Sequence, residues 1–237
     1  MINISIILPV HNEIDNLENL IKDWNEELCK LENIKFEFII VEDGSTDGTK
    51  ELIKELEKKY PILNLSSSIK RGYSKAVLDG VYEAKGDFIL CTDSDNQIKV
   101  ESLLENINNL PKKNEFIFGA RHPRNDPLNR IFYSKLFKLL HNMLFYTKLS
   151  DPSCPFVIGH KEDFIKLPKE KLLYMREGFW WCFSAVCKKK NFIFKEVKIK
   201  HYKRKSGEAG YKFKDLIGII SRNTLGLFKI KFSKFND

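Results

Sequence analysis

Along the first 120 positions, short continuous apolar runs alternate with stretches in which apolar residues recur every three or four positions. Residues 2–9 form the first run, with Ile4, Ile6, Ile7 and Leu8 apolar, and Pro9 ends it as a strand. Leu17, Leu20, Ile21, Trp24, Leu28 and Leu31 then recur at helical spacing. The same alternation predicts strands over 36–41, 62–65, 88–92 and 116–118. It predicts helices around Leu52, Ile53, Leu56 and Tyr60, over 74–84, and over 100–110. Between the second strand and its helix, the turn Glu42-Asp43-Gly44-Ser45-Thr46-Asp47-Gly48 offers Asp47 or Thr46 as a cap. Strands alternating with helices at this spacing mean βαβ units and a mostly parallel sheet flanked by helices, an α/β fold.

Beyond Arg121 the pattern changes. Leu128, Ile131, Phe132, Leu136, Leu139, Leu140, Met143 and Leu144 recur at helical spacing, with Arg130, Ser134, Lys135, Lys138 and His141 between them. This predicts an amphipathic helix over 128–146, which either faces the core or lies on a membrane. A second stretch, 213–235, sets Phe213, Leu216, Ile217, Ile220, Leu227 and Phe228 among lysines. The chain therefore divides into a main domain over 1–212, with halves 1–120 and 121–212, and a basic amphipathic helix over 213–237.

Composition narrows the class. The formal net charge is +8, and residues 195–237 account for all of it, with 12 Lys/Arg against 4 Asp/Glu. Residues 120–149 add six Lys/Arg against one acid. Such basic segments imply an anionic partner. Five cysteines without a CxxC pair point to a reducing compartment rather than to disulfides or zinc. The chain opens directly on a strand, so no leader is expected, and no apolar run reaches the ~18 residues of a membrane span.

The chemistry centres on Asp93-Ser94-Asp95-Asn96-Gln97. A buried strand leads straight into two carboxylates one residue apart, with an amide two residues later. Beyond the carboxyl ends of strands is where open α/β sheets bind ligands. Two acids this close repel unless a cation lies between them or one holds a proton, and Mg²⁺ or Mn²⁺ favours such oxygen ligands. A solvated Asp/Asn turn is the alternative. Glu13 and Asp43 follow other strands and either accept hydrogen bonds from a ligand or cap helices. Lys70 and Arg71 face either phosphate or solvent.

Five motifs in order resemble family 2 glycosyltransferases of the GT-A fold, and more narrowly the polyprenyl-phosphate glycosyltransferases. They are Pro9-Val10-His11-Asn12-Glu13, Val41-Glu42-Asp43-Gly44-Ser45-Thr46-Asp47-Gly48-Thr49, Arg71-Gly72-Tyr73-Ser74-Lys75-Ala76, Asp93-Ser94-Asp95-Asn96-Gln97 and Gly119-Ala120-Arg121. Asp151-Pro152-Ser153-Cys154-Pro155-Phe156 resembles a further segment, with Pro155 where the family has Gly. Residues 204–210 weakly resemble a late basic, Gly-containing loop.

The resemblance implies a nucleotide-sugar donor, GDP- or UDP-linked, contacted by Pro9, His11, Glu13, Asp43, Lys70, Arg71 and Asp93. It implies a Mg²⁺ or Mn²⁺ ion held by Asp93, Asp95 and Gln97, and an Arg at position 121 facing phosphate. A lipid phosphate acceptor is already ionised and needs cations, for which Arg121, Arg130 and Lys135 are candidates. A glycan hydroxyl acceptor needs a general base, and Glu177 occupies the place where hydroxyl-accepting relatives often carry one. Asp95, Arg121 and Glu177 are thus the candidate catalytic residues. Trp180 and Trp181 read as core or as an acceptor-groove wall. The expected location is the cytoplasmic face of a membrane, held peripherally. Nucleic-acid binding leaves the strand-end acids unexplained and has no aromatic-basic motif behind it. A nucleotidyltransferase lacks its Gly-rich phosphate loop here.

Overall fold

The computed structural model describes residues 1–175, 177–203 and 216–235. In chain order the elements are β1 (Ile2–Val10), α1 (Ile14–Leu28), β2 (Ile34–Asp43), α2 (Thr49–Leu56), β3 (Ile62–Ser67), α3 (Tyr73–Glu83), β4 (Phe88–Cys91) and α4 (Glu101–Leu104). After a 3₁₀ turn at Ile107–Asn109 come β5 (Glu115–Arg121), α5 (Leu128–Phe145), β6 (Val157–His160), α6 (Lys161–Ile165), α7 (Lys169–Leu172), α8 (Phe179–Lys189), β7 (Ile193–Ile199) and α9 (Leu216–Phe232).

The strands form one sheet in the order β3-β2-β1-β4-β6-β5-β7. β3, β2, β1 and β4 run parallel, β6 runs antiparallel to β4 and β5, and β7 is parallel to β5. The central strands are covered on both faces, which is why they read as continuous apolar runs. Successive side chains still part to opposite sides. Ile4, Ile6, Leu8, Phe38 and Ile40 pack with α1, α2 and α4 residues, whereas Ile7, Ile39, Val41, Phe116 and Phe118 pack with α3 and α8 residues.

Two expectations are corrected. The helix expected over 100–110 stops after Leu104, where an Asn-rich run begins. Asn106 donates its side-chain amide to the Ser102 carbonyl (2.9 Å), a local bond that competes with helix propagation. Pro9 does not end β1, which continues to Val10 in register with β2. The proline has no N–H to give, and it sits beyond the last β1–β4 rung, so none is missed. α9 packs against α8 and α5, and its Leu227 and Ile230 are fully buried in the core.

Candidate functional site

Strand order reverses between β1 and β4. From β1 the chain first moves outward through β2 and β3, then returns to place β4 on the other side. A crevice opens at the carboxyl ends of such a pair, because the connections leave in opposite directions. The Asp93 loop lies on this crevice and is fastened across it, since the Ser94 hydroxyl donates to the Pro9 carbonyl (2.8 Å).

Asp93 is the electrostatic centre. Burial, and then the Asp95 charge, raise its pKa to about 7, against the opposing pull of Tyr73, Arg121 and Arg130. Its Oδ1 accepts from the Tyr73 hydroxyl (2.7 Å), which in turn accepts from the Trp180 indole N–H (2.8 Å). Asp95 accepts from the Gln97 backbone N–H (3.2 Å). The Gln97 side-chain amide donates to the Tyr202 carbonyl (2.9 Å), and the Tyr202 N–H returns a bond to the Gln97 carbonyl (2.9 Å). Gln97 therefore ties the chain near position 202 to the acid loop, a job its spacing did not reveal. Asn96 in the same loop has φ +59°, and its side-chain oxygen is buried without a partner, as is His11 Nδ1 on the opposite lip.

Asp43 holds protein backbone rather than presenting an open carboxylate. Its two oxygens accept the N–H groups of Arg71 (2.7 Å) and Gly72 (2.8 Å). The loop reaches β2 because position 44 is glycine. Its φ is +75°, and a Cβ there would lie 2.7 Å from the Lys70 nitrogen. Glu13 is buried, with the Asn16 amide on its carboxylate (2.7 Å) and its own N–H on the Thr49 hydroxyl (3.0 Å). Asp47 joins two helix starts, accepting from the N–H groups of Thr49 (3.0 Å) and Ile14 (3.3 Å). The Arg71 guanidinium pairs with Asp79 (2.8 Å), and Lys70 is exposed.

The arginines are arranged differently from expectation. The Arg121 side chain is only 6% exposed. It makes a two-pronged contact with Asp151 (2.6 and 2.9 Å), donates to Ser153 (2.7 Å) and lies 3.6 Å from Asp126. Burial works against its charge, but Asp151 outweighs this and the net pKa shift is upward. Burial likewise opposes ionisation of Asp151, and Arg121 holds its carboxyl at about 2. Arg121 is thus the keystone of a buried ion network, not an open phosphate-facing cation. Asp126 also holds Arg124 (2.6 Å) and Arg130 (3.3 Å), of which Arg130 is 53% exposed. His201 closes this network. Its Nδ1 accepts from the Asn125 N–H (3.1 Å), and burial followed by the Arg121 charge lowers its pKa to about 4. Lys135 is exposed on α5.

Glu177, just before α8, gives its Oε1 to Arg222 of α9 (2.6 and 3.2 Å). This ion pair turns the Oε1 edge of the carboxylate toward α9. Residues 204–210 and Arg176 lie outside the described residues. Sequence reading missed Tyr73, Asp126 and the role of Asp151. Tyr73 was within reach, because it follows directly on the Arg71-Gly72 turn.

A crevice at a strand-order reversal, with a half-buried acid pair on one lip and a charged network beyond it, marks an α/β protein built to hold a charged ligand at its switch point. The chain belongs to glycosyl transferase family 2, whose model matches residues 5–168. It is 32% identical over 134 residues to a dolichol-phosphate mannosyltransferase of Pyrococcus furiosus, covering 56% of this chain and 37% of that protein. It is 24% identical over 219 residues to an undecaprenyl-phosphate 4-deoxy-4-formamido-L-arabinose transferase of Edwardsiella ictaluri, covering 92% and 65%. The chain thus spans between about a third and two thirds of the length of these curated relatives. Among solved structures it superposes with a TM-score of 0.69 on glucosyl-3-phosphoglycerate synthase from Mycobacterium tuberculosis, solved in complex with Mn²⁺, UDP and glucosyl-3-phosphoglycerate. The identity is 15%, over 100% of this chain and 82% of that one. The fold is therefore the GT-A fold that the motifs implied.

Proposed function

We propose that this chain is an inverting, divalent-metal-dependent glycosyltransferase that moves a sugar from a GDP- or UDP-linked donor to a polyprenyl phosphate at a membrane surface. The observation that carries the lipid acceptor is the outer face of α5. Leu128, Phe132, Leu136, Leu139 and Met143 form one stripe, each between 58 and 84% exposed. The stripe starts beside the Asp126–Arg130 pair, so the cationic network and the apolar surface adjoin. A phosphate on an apolar chain matches both. The relatives named for dolichol and undecaprenyl phosphates support the same reading.

Two clustered hard-oxygen carboxylates, one with its pKa raised by burial and then by the other's charge, fit Mg²⁺ or Mn²⁺. Asp93 and Asp95 would hold the ion, and when bound it supplies positive charge to the departing diphosphate. The chain's own residues do the rest. Tyr73 orients Asp93, Ser94 fixes the loop to β1, and Asp43 shapes the Arg71–Gly72 turn beside the donor. Half-exposed Arg130 meets the acceptor phosphate, while Arg121 holds Asp126 and Asp151 in place. An acceptor phosphate oxygen attacks the anomeric carbon, the bond to the donor phosphate breaks, and its electron pair leaves with the nucleoside diphosphate. No base is needed, which agrees with Glu177 being committed to Arg222.

No described helix is long and apolar enough to cross a membrane; the exposed apolar stripe of α5 would hold this chain at the bilayer surface. Free cysteines, four of them buried, support the cytoplasmic face. The test is transfer of labelled sugar from a panel of GDP- and UDP-sugars with Mn²⁺ to a polyprenyl phosphate. A lipid-linked, metal-dependent product is expected. Transfer only to a glycan hydroxyl, or full activity in EDTA, overturns the proposal.

A further inference from the structure

Attachment of α5 to a membrane fixes one end of the helix at the cationic network but not the other. At the far end, a cleft of about 240 Å³ opens between the C-terminal ends of α5, α8 and α9, lined by Leu144, Phe145, Tyr146, Lys188, Lys189 and Lys231. No acid is among these lining residues. Resting on that attachment, we propose that this cleft binds the phosphodiester headgroup of an anionic bilayer lipid and so holds α5 flat on the membrane.

Two of the lysines are set in place by backbone. Lys231 donates to the Leu144 carbonyl (2.6 Å), and Lys189 donates to the carbonyls of Lys231 (2.9 Å) and Ser233 (3.0 Å). An ammonium carries three N–H groups, so both keep donors beyond these bonds. Lys188 is exposed at the mouth, with its ammonium 6.0 Å from the centre of the Phe194 ring. Burial and, after it, the Lys231 charge lower the pKa of Lys189, and an anion beside the two ammonium groups would oppose both effects.

The rim selects a lipid over a soluble anion. Tyr146 (71% exposed) lines the cleft, and Met143 (63%) and Phe232 (78%) lie next in sequence to its lining residues Leu144 and Lys231. Aromatic and apolar groups around a cationic centre suit the headgroup level of a bilayer. α5 has 18 residues. At 1.5 Å per residue it separates Arg130 from the cleft by roughly 22 Å. Two anion-holding ends joined by an apolar stripe define a line of contact, which a single site would not.

The test is co-sedimentation with phosphatidylcholine vesicles, with and without phosphatidylglycerol, at constant ionic strength. Lys188→Gln should weaken attachment to the anionic vesicles about five-fold, and Lys188→Glu more, with no change on phosphatidylcholine alone. Lys188 is exposed, so both variants should melt with the parent. Equal attachment to both vesicle types, unmoved by Lys188→Glu, overturns the cleft while leaving the membrane reading intact. Attachment to neither overturns both. If millimolar inorganic phosphate strips the parent from anionic vesicles as fully as Lys188→Glu does, the cleft takes a free anion and the lipid proposal fails.

Discussion

Metal affinity should fall steeply as pH drops below 7. Asp93 is the group that decides this, because burial and the Asp95 charge lift its pKa from 3.8 to about 7. A divalent ion binds the carboxylate and not the acid, so protons compete with it. Well below the pKa, apparent affinity falls about tenfold per pH unit, and at pH 7 the group is already half protonated, so lowering pH from about 7 to about 5.5 should cost roughly 16-fold, near 1.6 kcal/mol. The same shift has a signed effect on stability. Between 3.8 and about 7 the folded state keeps a proton that the unfolded state has lost. Without metal, this contribution is therefore greatest below the unfolded pKa and is lost as pH rises through 7. His141 and His201 work in the opposite sense. Burial lowers both to about 4 from 6.5, so their contribution is present above 6.5 and is lost as pH falls through 4. The informative quantity is thus the difference in melting temperature with and without Mn²⁺, which should widen as pH rises through 7. Titrating the free Mn²⁺ signal by electron paramagnetic resonance gives the affinity directly. A constant affinity between about pH 5.5 and 8 would refute the assignment of Asp93 as a metal ligand, since a group of that pKa must show its proton.

Three further outcomes are expected from the contacts. Tyr73→Phe should weaken Mn²⁺ binding by about 1.5–3 kcal/mol, the value of a hydrogen bond to a charged acceptor, and calorimetry should show it; unchanged affinity would mean that Asp93 holds its position alone. Asp151→Asn should destabilise the fold by about 3–5 kcal/mol in urea melts, because Arg121 would remain buried with its main counter-charge gone, and a loss below ~1 kcal/mol would show the network to be solvated. Glu177→Gln should leave kcat for a lipid phosphate acceptor within a few-fold of the parent in initial-rate assays, whereas a loss of 10²–10⁴-fold would restore it as a general base.

The first half of the fold was legible because its central strands are buried on both faces and its helices on one, so that each carries its own period. β1 to β5 all lie where the apolar runs put them. The second half was not. Phe179 to Cys187 of α8 are buried on every side, so this helix has no polar face to mark a period. β6 has four residues, too few to show an alternation. α5 misled in another way. Leu140 and Leu144, expected on one face with Leu136 and Leu139, pack instead toward the core, and the outward stripe is a second apolar face. In the site, the acid pair and its strand-end position could be read from spacing. The partners of Arg121, Asp43 and Glu177 could not, because they come from 30, 28 and 45 residues away.

Those long-range partners converge on one short turn. Arg71 and Gly72 give their N–H groups to Asp43 at the end of β2, Tyr73 gives its hydroxyl to Asp93, and Ser74 gives its hydroxyl to the Met175 carbonyl (3.1 Å), shortly before Glu177 and α8. Four consecutive residues thus join the lip under β2, the acid loop under β4 and the segment entering α8. Gly72 makes this possible with φ +100°, a conformation that lets α3 start at once while both N–H groups turn back. A Cβ at that position would meet open space, so the requirement is on backbone conformation and not on room. Asp43 and Asp93 are therefore joined through one turn. Through the Trp180 indole N–H on the Tyr73 hydroxyl, the turn is also bonded to α8, which packs against α5 and α9. The strand-end crevice and the helix pair α5 and α9 are in this way tied to the same four residues.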